Sequence, residues 1–106
     1  MQPTFSYLDQ LSGGNPEFKK RIIKIILNEL PKDFDLYHYA TELKNYHWAA
    51  EIVHRINQKI AFLQMAESLK LADKHENLLR EGKTTYLNEF NEIVNKILKF
   101  LENSQE

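Results

Sequence analysis

Apolar side chains recur at steps of three and four residues along nearly the whole chain, the spacing at which they return to one face of an α-helix. From Phe18 the pattern runs through Ile22, Ile25 or Ile26, and Leu30, with Ile23 and Leu27 widening the stripe. It resumes beyond Pro31 at Phe34, Tyr37, Ala40 or Thr41, and Leu43. A central run carries Trp48, Ile52, Ile56 and Leu63, with Ala49, Val53 and Ile60 beside them. Leu69, Ala72, Glu76 and Leu79 form the next, and the last is Leu87, Phe90, Ile93 or Val94, Ile97 or Leu98, and Leu101. Phe5, Leu8 and Leu11 make a short amphipathic piece expected to lie across the other helices. With only 3 Gly and 3 Pro, the chain lacks the turn residues of an all-β domain.

Punctuation divides these runs. In Gly13-Gly14-Asn15-Pro16, asparagine suits an N-cap and proline the first helical position, where its missing N–H costs nothing. Leu30-Pro31 either kinks one long helix or begins a second. Glu81-Gly82 predicts a helix end, Thr84 or Thr85 the next N-cap, and the tail from Asn103 to Glu106 should fray. Four long amphipathic helices with short connections bury their stripes most economically as an antiparallel bundle. The expected fold is therefore all-α, an antiparallel four-helix bundle with a short N-terminal helix. A chain of 106 residues buries roughly two-thirds of its unfolded surface, enough for one core, so residues 1–106 are read as one domain.

Composition narrows the function. Fourteen basic and 15 acidic residues nearly cancel, and no basic run offers the counter-ion release behind nucleic-acid binding. The absence of cysteine excludes disulfides, thiolate metal sites and a cysteine nucleophile, and fits a reducing compartment. Charges interrupt every apolar run, and the opening Met-Gln-Pro-Thr-Phe-Ser-Tyr has neither a basic nor an apolar signal region. No membrane partner and a cytoplasmic location are expected. No phosphate-cradling glycine loop, serine elbow or zinc spacing is present.

Histidines remain: His38, His47, His54 and His75. His54 lies about 100° round the helix from Val53, at the edge of the exposed face, with Ala50, Glu51, Asn57, Gln58 and Ala61 as its helical neighbours. An ordinary surface histidine is one reading. A metal bundle is another, since Glu51-Ile52-Val53-His54 has the Glu-x-x-His pattern of di-iron bundles, Asp35-Leu36-Tyr37-His38 is a weaker copy, and His47 joins the stripe. That site needs two more carboxylates, with Glu29 or Glu89 the candidates, and inward-pointing ligands. Val53 and Ile56 already define the inward direction, which leaves Glu51 and His54 on the flank.

The order of features supplies a third reading. From Tyr7-Leu8-Asp9-Gln10-Leu11-Ser12-Gly13-Gly14-Asn15-Pro16-Glu17-Phe18, through Leu30-Pro31 and Leu43-Lys44-Asn45-Tyr46-His47-Trp48, to Val53-His54-Arg55-Ile56, the chain resembles a histidine-containing phosphotransfer (HPt) domain. The likeness spans roughly Thr4 to Leu101. It implies His54 as the phosphoryl acceptor, between the apolar Val53 and Ile56. Ile60, Ala61, Phe62 and Leu63 match the family's apolar stretch after the site, and Leu69, Ala72 and Glu76 its leucine, alanine and glutamate signature.

The family commonly has lysine three residues after the histidine, then glycine, with further glycines seven and ten residues on; here those positions hold Asn57, Gln58, Ala61 and Gln64. Asn57 offers only a neutral hydrogen bond to a phosphoryl group, and Gln58 fills space the glycine leaves open. Arg55 and Lys59 point about 100° and 140° away from His54.

The resemblance implies a phosphocarrier in two-component signalling rather than a self-sufficient enzyme. Its partners would be receiver domains of response regulators, with a hybrid sensor histidine kinase as a further partner. The chain itself needs no cofactor, because the receiver brings the aspartate, the Mg²⁺ and a lysine. An imidazole of ordinary pKa is largely neutral near pH 7 and offers a free ring nitrogen. Arg55, Asn57, Gln58 and Ala61 would neighbour the phosphoryl group, and Phe5, Leu8, Leu11 and Met65 would dock the partner through an apolar patch. The alternative is an HPt-like adaptor that binds receivers without transfer. A monomer is expected, because little apolar surface remains unassigned.

Overall fold

Asn15 begins the longest helix as its residue type suggests. Its Oδ1 accepts from the backbone N–H of Glu17 and Phe18 at 3.0 and 3.3 Å, and Pro16 occupies the first turn. The computed structural model describes residues 3–104. It contains α1 (Ser6–Ser12), α2 (Pro16–Glu42), α3 (Tyr46–Ala61), α4 (Ala66–Arg80) and α5 (Leu87–Asn103), and no strand among the described residues. Residues 105 and 106 of the tail expected to fray lie outside the described ones, as do residues 1 and 2; Asn103 still belongs to α5.

Pro31 does not divide the chain: α2 continues through it for 27 residues. An interior proline removes one hydrogen bond and costs about 3 kcal/mol. Packing on both sides offsets that cost, since Ile26 and Leu30 before it and Phe34 and Tyr37 after it are all buried. Burial of such side chains contributes roughly 1.5–3 kcal/mol each.

Helices α2 and α4 end alike. Beyond α4, Gly82 has φ 77°, its N–H donates to the Leu79 carbonyl at 2.9 Å, and the Lys83 N–H donates to Leu78 at 2.8 Å. Beyond α2, Lys44 adopts the same left-handed turn (φ 57°), closed by bonds from its own N–H to Thr41 and from Asn45 to Ala40. The start of α5 departs from expectation. Neither Thr84 nor Thr85 caps it; the Leu87 N–H donates to the Thr84 carbonyl at 3.2 Å, and this turn delays the helix until after Tyr86.

One buried cluster draws on all five helices, including Leu8, Leu30, Ile52, Ile56, Leu79, Phe90 and Leu101. Helix α3 packs on α2 and α4, α5 packs on the same two, and α1 lies on α2, so the four long helices close a ring around that core. The molecule measures 43 × 23 × 19 Å. No helix among the described residues is long and apolar enough to cross a membrane.

Several stripe assignments change. In α5, Phe90, Val94, Ile97 and Leu101 face inward, which settles the alternatives in that run. In α4 the inward line is Ala72, His75 and Leu79, with Glu76 on the flank. Phe18 and Leu43, read as part of a buried stripe, are exposed, and of the alternatives Ile25 and Ile26 the second faces inward, because the core lies on the side of α2 marked by Ile23, Ile26 and Leu30. Trp48 is half-buried, whereas Tyr37 is fully inside.

Candidate functional site

Val53 and Ile56 are fully buried, and this fixes the rotation of α3 so that His54 faces outward. Its side chain is 59% exposed. Nδ1 lies 3.3 Å from Oε1 of Glu76 on α4, a carboxylate only 13% exposed. The other oxygen of Glu76 accepts from Arg80 Nη2 at 3.1 Å, one helical turn on. A carboxylate in this position accepts from Nδ1–H, which assigns the ring proton to Nδ1 and leaves the Nε2 lone pair turned away from the carboxylate. The arrangement suits a nitrogen nucleophile: positive charge that develops on the ring as Nε2 bonds an electrophile falls beside a fixed anion.

The other expected site residues divide. Gln58 and Ala61 are exposed on the His54 side of α3. Asn57 is buried instead; its Nδ2 donates to Asp73 Oδ1 at 3.2 Å, and its Oδ1 has no partner among the described residues. Arg55, expected near the phosphoryl group, turns to α2, where Nη2 lies 3.1 Å from Asp33 Oδ1. Lys59 joins the same network at 3.2 Å from Asp33 Oδ2 and 3.3 Å from Glu29. Both cations of α3 are thus committed to the α2–α3 seam.

The docking patch is corrected more heavily. Leu8 and Met65 belong to the core, because α1 lays Leu8 against the bundle and the turn after α3 folds Met65 inward. Phe5 is half-buried, its ring 4.8 Å from that of Phe100 with Lys19 over its face. Leu11 alone of the four is exposed. Tyr7, also exposed and 6.2 Å from the Phe62 ring, joins it on α1. Beyond His54, Thr4, Ala61, Gln64, Met65, Ala66 and Leu69 line a shallow groove of about 480 Å³. Gln64, which stands at a glycine position of the resembled family, has φ 53°, a conformation glycine adopts without cost.

The metal reading loses its geometry. His47 Nε2 sits 3.4 Å from Glu51 Oε1 on the surface, while His54 turns to Glu76. Among the described residues, no three His, Asp or Glu side chains come together as a metal site requires. The remaining histidines are structural: His38 packs 4.3 Å from the Phe34 ring, and His75 is fully buried. His75 Nε2 is 2.7 Å from the Tyr37 hydroxyl, and desolvation pushes its pKa down to about 4.

Two partners in the site escape a reading of the sequence alone, Arg80 and Asp73. Glu76 and Arg80 are an acid–base pair four residues apart, a spacing that signals contact on a helix. Asp73 carries no such signal, since its bond to Asn57 crosses between helices. Comparison of the chain with protein-family models, with curated proteins and with solved structures found no match.

Proposed function

We propose that this protein is a histidine phosphotransfer protein or domain, relaying a phosphoryl group between receiver-domain aspartates through phosphohistidine at His54. The observation that carries the reading is the exposed His54 ring, held through Nδ1 by the Glu76–Arg80 pair with Nε2 directed away. The resemblance over Thr4 to Leu101 and the ring of four long helices support it, the latter by suiting the antiparallel four-helix bundle that such domains use.

Nε2 of neutral His54 attacks the phosphorus of a receiver's aspartyl phosphate in line. The N–P bond forms, the P–O bond breaks, and the aspartate leaves as a carboxylate. The proton stays on Nδ1, so the ring becomes cationic beside Glu76. Return transfer to a second receiver reverses each step. Mg²⁺ and the lysine at the aspartate are the receiver's contribution, so the chain acts as a carrier. The receiver would dock over His54, Gln58 and Ala61, with Tyr7 and Leu11 of α1 as the apolar margin. The cytoplasm, where receivers and kinases work, is the matching location.

A receiver-binding adaptor without transfer is the second reading. It is favoured by the commitment of Arg55 and Lys59 to Asp33 and by the burial of Asn57, which together leave α3 without a cation turned to His54. Transfer from phosphorylated receiver domains to the parent and to His54→Gln separates the two. The relay predicts label on the parent and none on His54→Gln. Stable receiver binding with no label on the folded parent establishes the adaptor instead.

A further inference from the structure

The outer face of α2 carries an apolar stripe that the fold leaves uncovered. Phe18, Ile25, Leu36 and Leu43 fall within about 20° of one line along the helix, and all four are exposed. Leu43, the C-cap, still has helical backbone angles (φ -74°, ψ -5°), so the line runs the full length of α2. Half-buried Ile22 and exposed Tyr39 border it, and Glu29 and Lys32 take its two middle positions. The successive steps alternate between four and three residues, the spacing of a coiled-coil seam. This removes the ground for expecting a monomer, which was a lack of unassigned apolar surface.

The stripe is complementary to itself. About the Leu30–Pro31 bond, Phe18 is placed symmetrically to Leu43, Ile22 to Tyr39, Ile25 to Leu36, and Glu29 to Lys32. We propose that two copies of this chain form a two-fold symmetric dimer in which the outer faces of their α2 helices pack antiparallel. In that arrangement every apolar residue meets an apolar residue, and Glu29 of each copy meets Lys32 of the other. A parallel pairing sets glutamate on glutamate and lysine on lysine, so the charges select the antiparallel one. The Leu30–Pro31 bonds of the two copies lie at the level of the two-fold axis. Glu29 also bonds Lys59 within its own chain, while Lys32 has no partner among the described residues and is left to the second copy.

The interface is small. Five half-exposed apolar side chains per copy and their charged neighbours bury on the order of 1,000 Å² in total, which fits a micromolar dimer rather than an obligate one. Within its own chain the stripe borders the α2–α3 seam, where Glu29 pairs with Lys59 and the Tyr39 ring meets Trp48, whereas His54 turns to the other side of α3, toward Glu76 of α4. The dimer leaves His54 accessible, and the proposal stands whether or not His54 carries a phosphoryl group.

Sedimentation equilibrium of the full chain, from about 1 to about 500 µM, tests it, with circular dichroism as a check on folding. The parent should pass from monomer to dimer over this range. Lys32→Glu, which sets four carboxylates at the axis, should weaken association at least tenfold while remaining folded, with a helical spectrum like the parent's at about 1 µM, where both are monomers. Adding Glu29→Lys to Lys32→Glu restores opposite charges across the axis and should restore the dimer. The absence of native cysteine allows orientation to be read directly: chains carrying Ile25→Cys and chains carrying Leu36→Cys should cross-link with each other and not with themselves. A parent that stays monomeric throughout, a dimer indifferent to Lys32→Glu, or Ile25→Cys chains that cross-link with themselves would each overturn the proposal.

Discussion

Lowering the pH from 7 to 4 should cost this fold about 3 kcal/mol through His75 alone. The ring is fully buried, with Nε2 2.7 Å from the Tyr37 hydroxyl, the Phe90 ring 5.0 Å away, and Nδ1 without a partner among the described residues. Desolvation disfavours the imidazolium and holds the folded pKa at about 4, against 6.5 for a solvated histidine. As pH falls through 6.5 the unfolded chain takes up a proton that the folded protein refuses until about pH 4. Within that window the unfolded state binds more protons, so stability falls as pH falls, and it is complete above pH 6.5. A gap of that size, at about 1.4 kcal/mol per unit, gives the stated loss, a large share of the 5–15 kcal/mol typical of a domain. Urea denaturation followed at 222 nm, at pH 7, 5.5 and 4 on the parent and on His75→Gln, measures it. All other titratable groups are common to the two proteins, so the difference between them isolates His75. The parent should lose about 3 kcal/mol more than the variant with an unchanged urea slope, and parallel profiles would refute a buried neutral His75.

Three further outcomes follow from single contacts. Tyr37→Phe strips His75 of its partner and should destabilise the protein by about 1–3 kcal/mol at pH 7 in the same urea assay. Glu76→Ala should release the His54 proton from Nδ1, read as a shift toward the Nε2–H tautomer in ¹⁵N spectra of the imidazole; a tautomer unchanged by the substitution would remove Glu76 from its positioning role. Lys44→Gly relieves a left-handed backbone at an exposed turn (φ 57°) and should raise stability by about 1 kcal/mol.

Much of the architecture was legible because helix periodicity and capping are local. The Asn15 cap, the Gly82 end and the three-to-four spacing of α5 each depend on residues within a few positions of one another, while the choice of Val94 over Ile93 and of Ile97 over Leu98 waited on packing. What failed depends on distant neighbours. Whether Pro31 breaks α2 is decided by how firmly Leu30 and Phe34 are held in the core, which the local sequence does not record. Leu8 and Leu11 look alike as a pattern, and only the placement of α1 buries the first and exposes the second. Glu76 and His75 are adjacent, and the choice between them as the inward residue turns on the Tyr37 hydroxyl waiting across the core. At the site, the outward direction of His54 was legible from Val53 and Ile56. The carboxylate that holds it was recognisable only by type, and the Asp33 network that claims Arg55 and Lys59 required two helices to meet.

The most direct measurement is to phosphorylate the parent from an active receiver domain, digest it under conditions that preserve phosphohistidine, and locate the group by mass spectrometry. One added phosphoryl group is expected, on the peptide containing His54, lost in acid and absent from His54→Gln. A phosphoryl group on another residue, or none on a folded parent that binds the receiver, would contradict the relay.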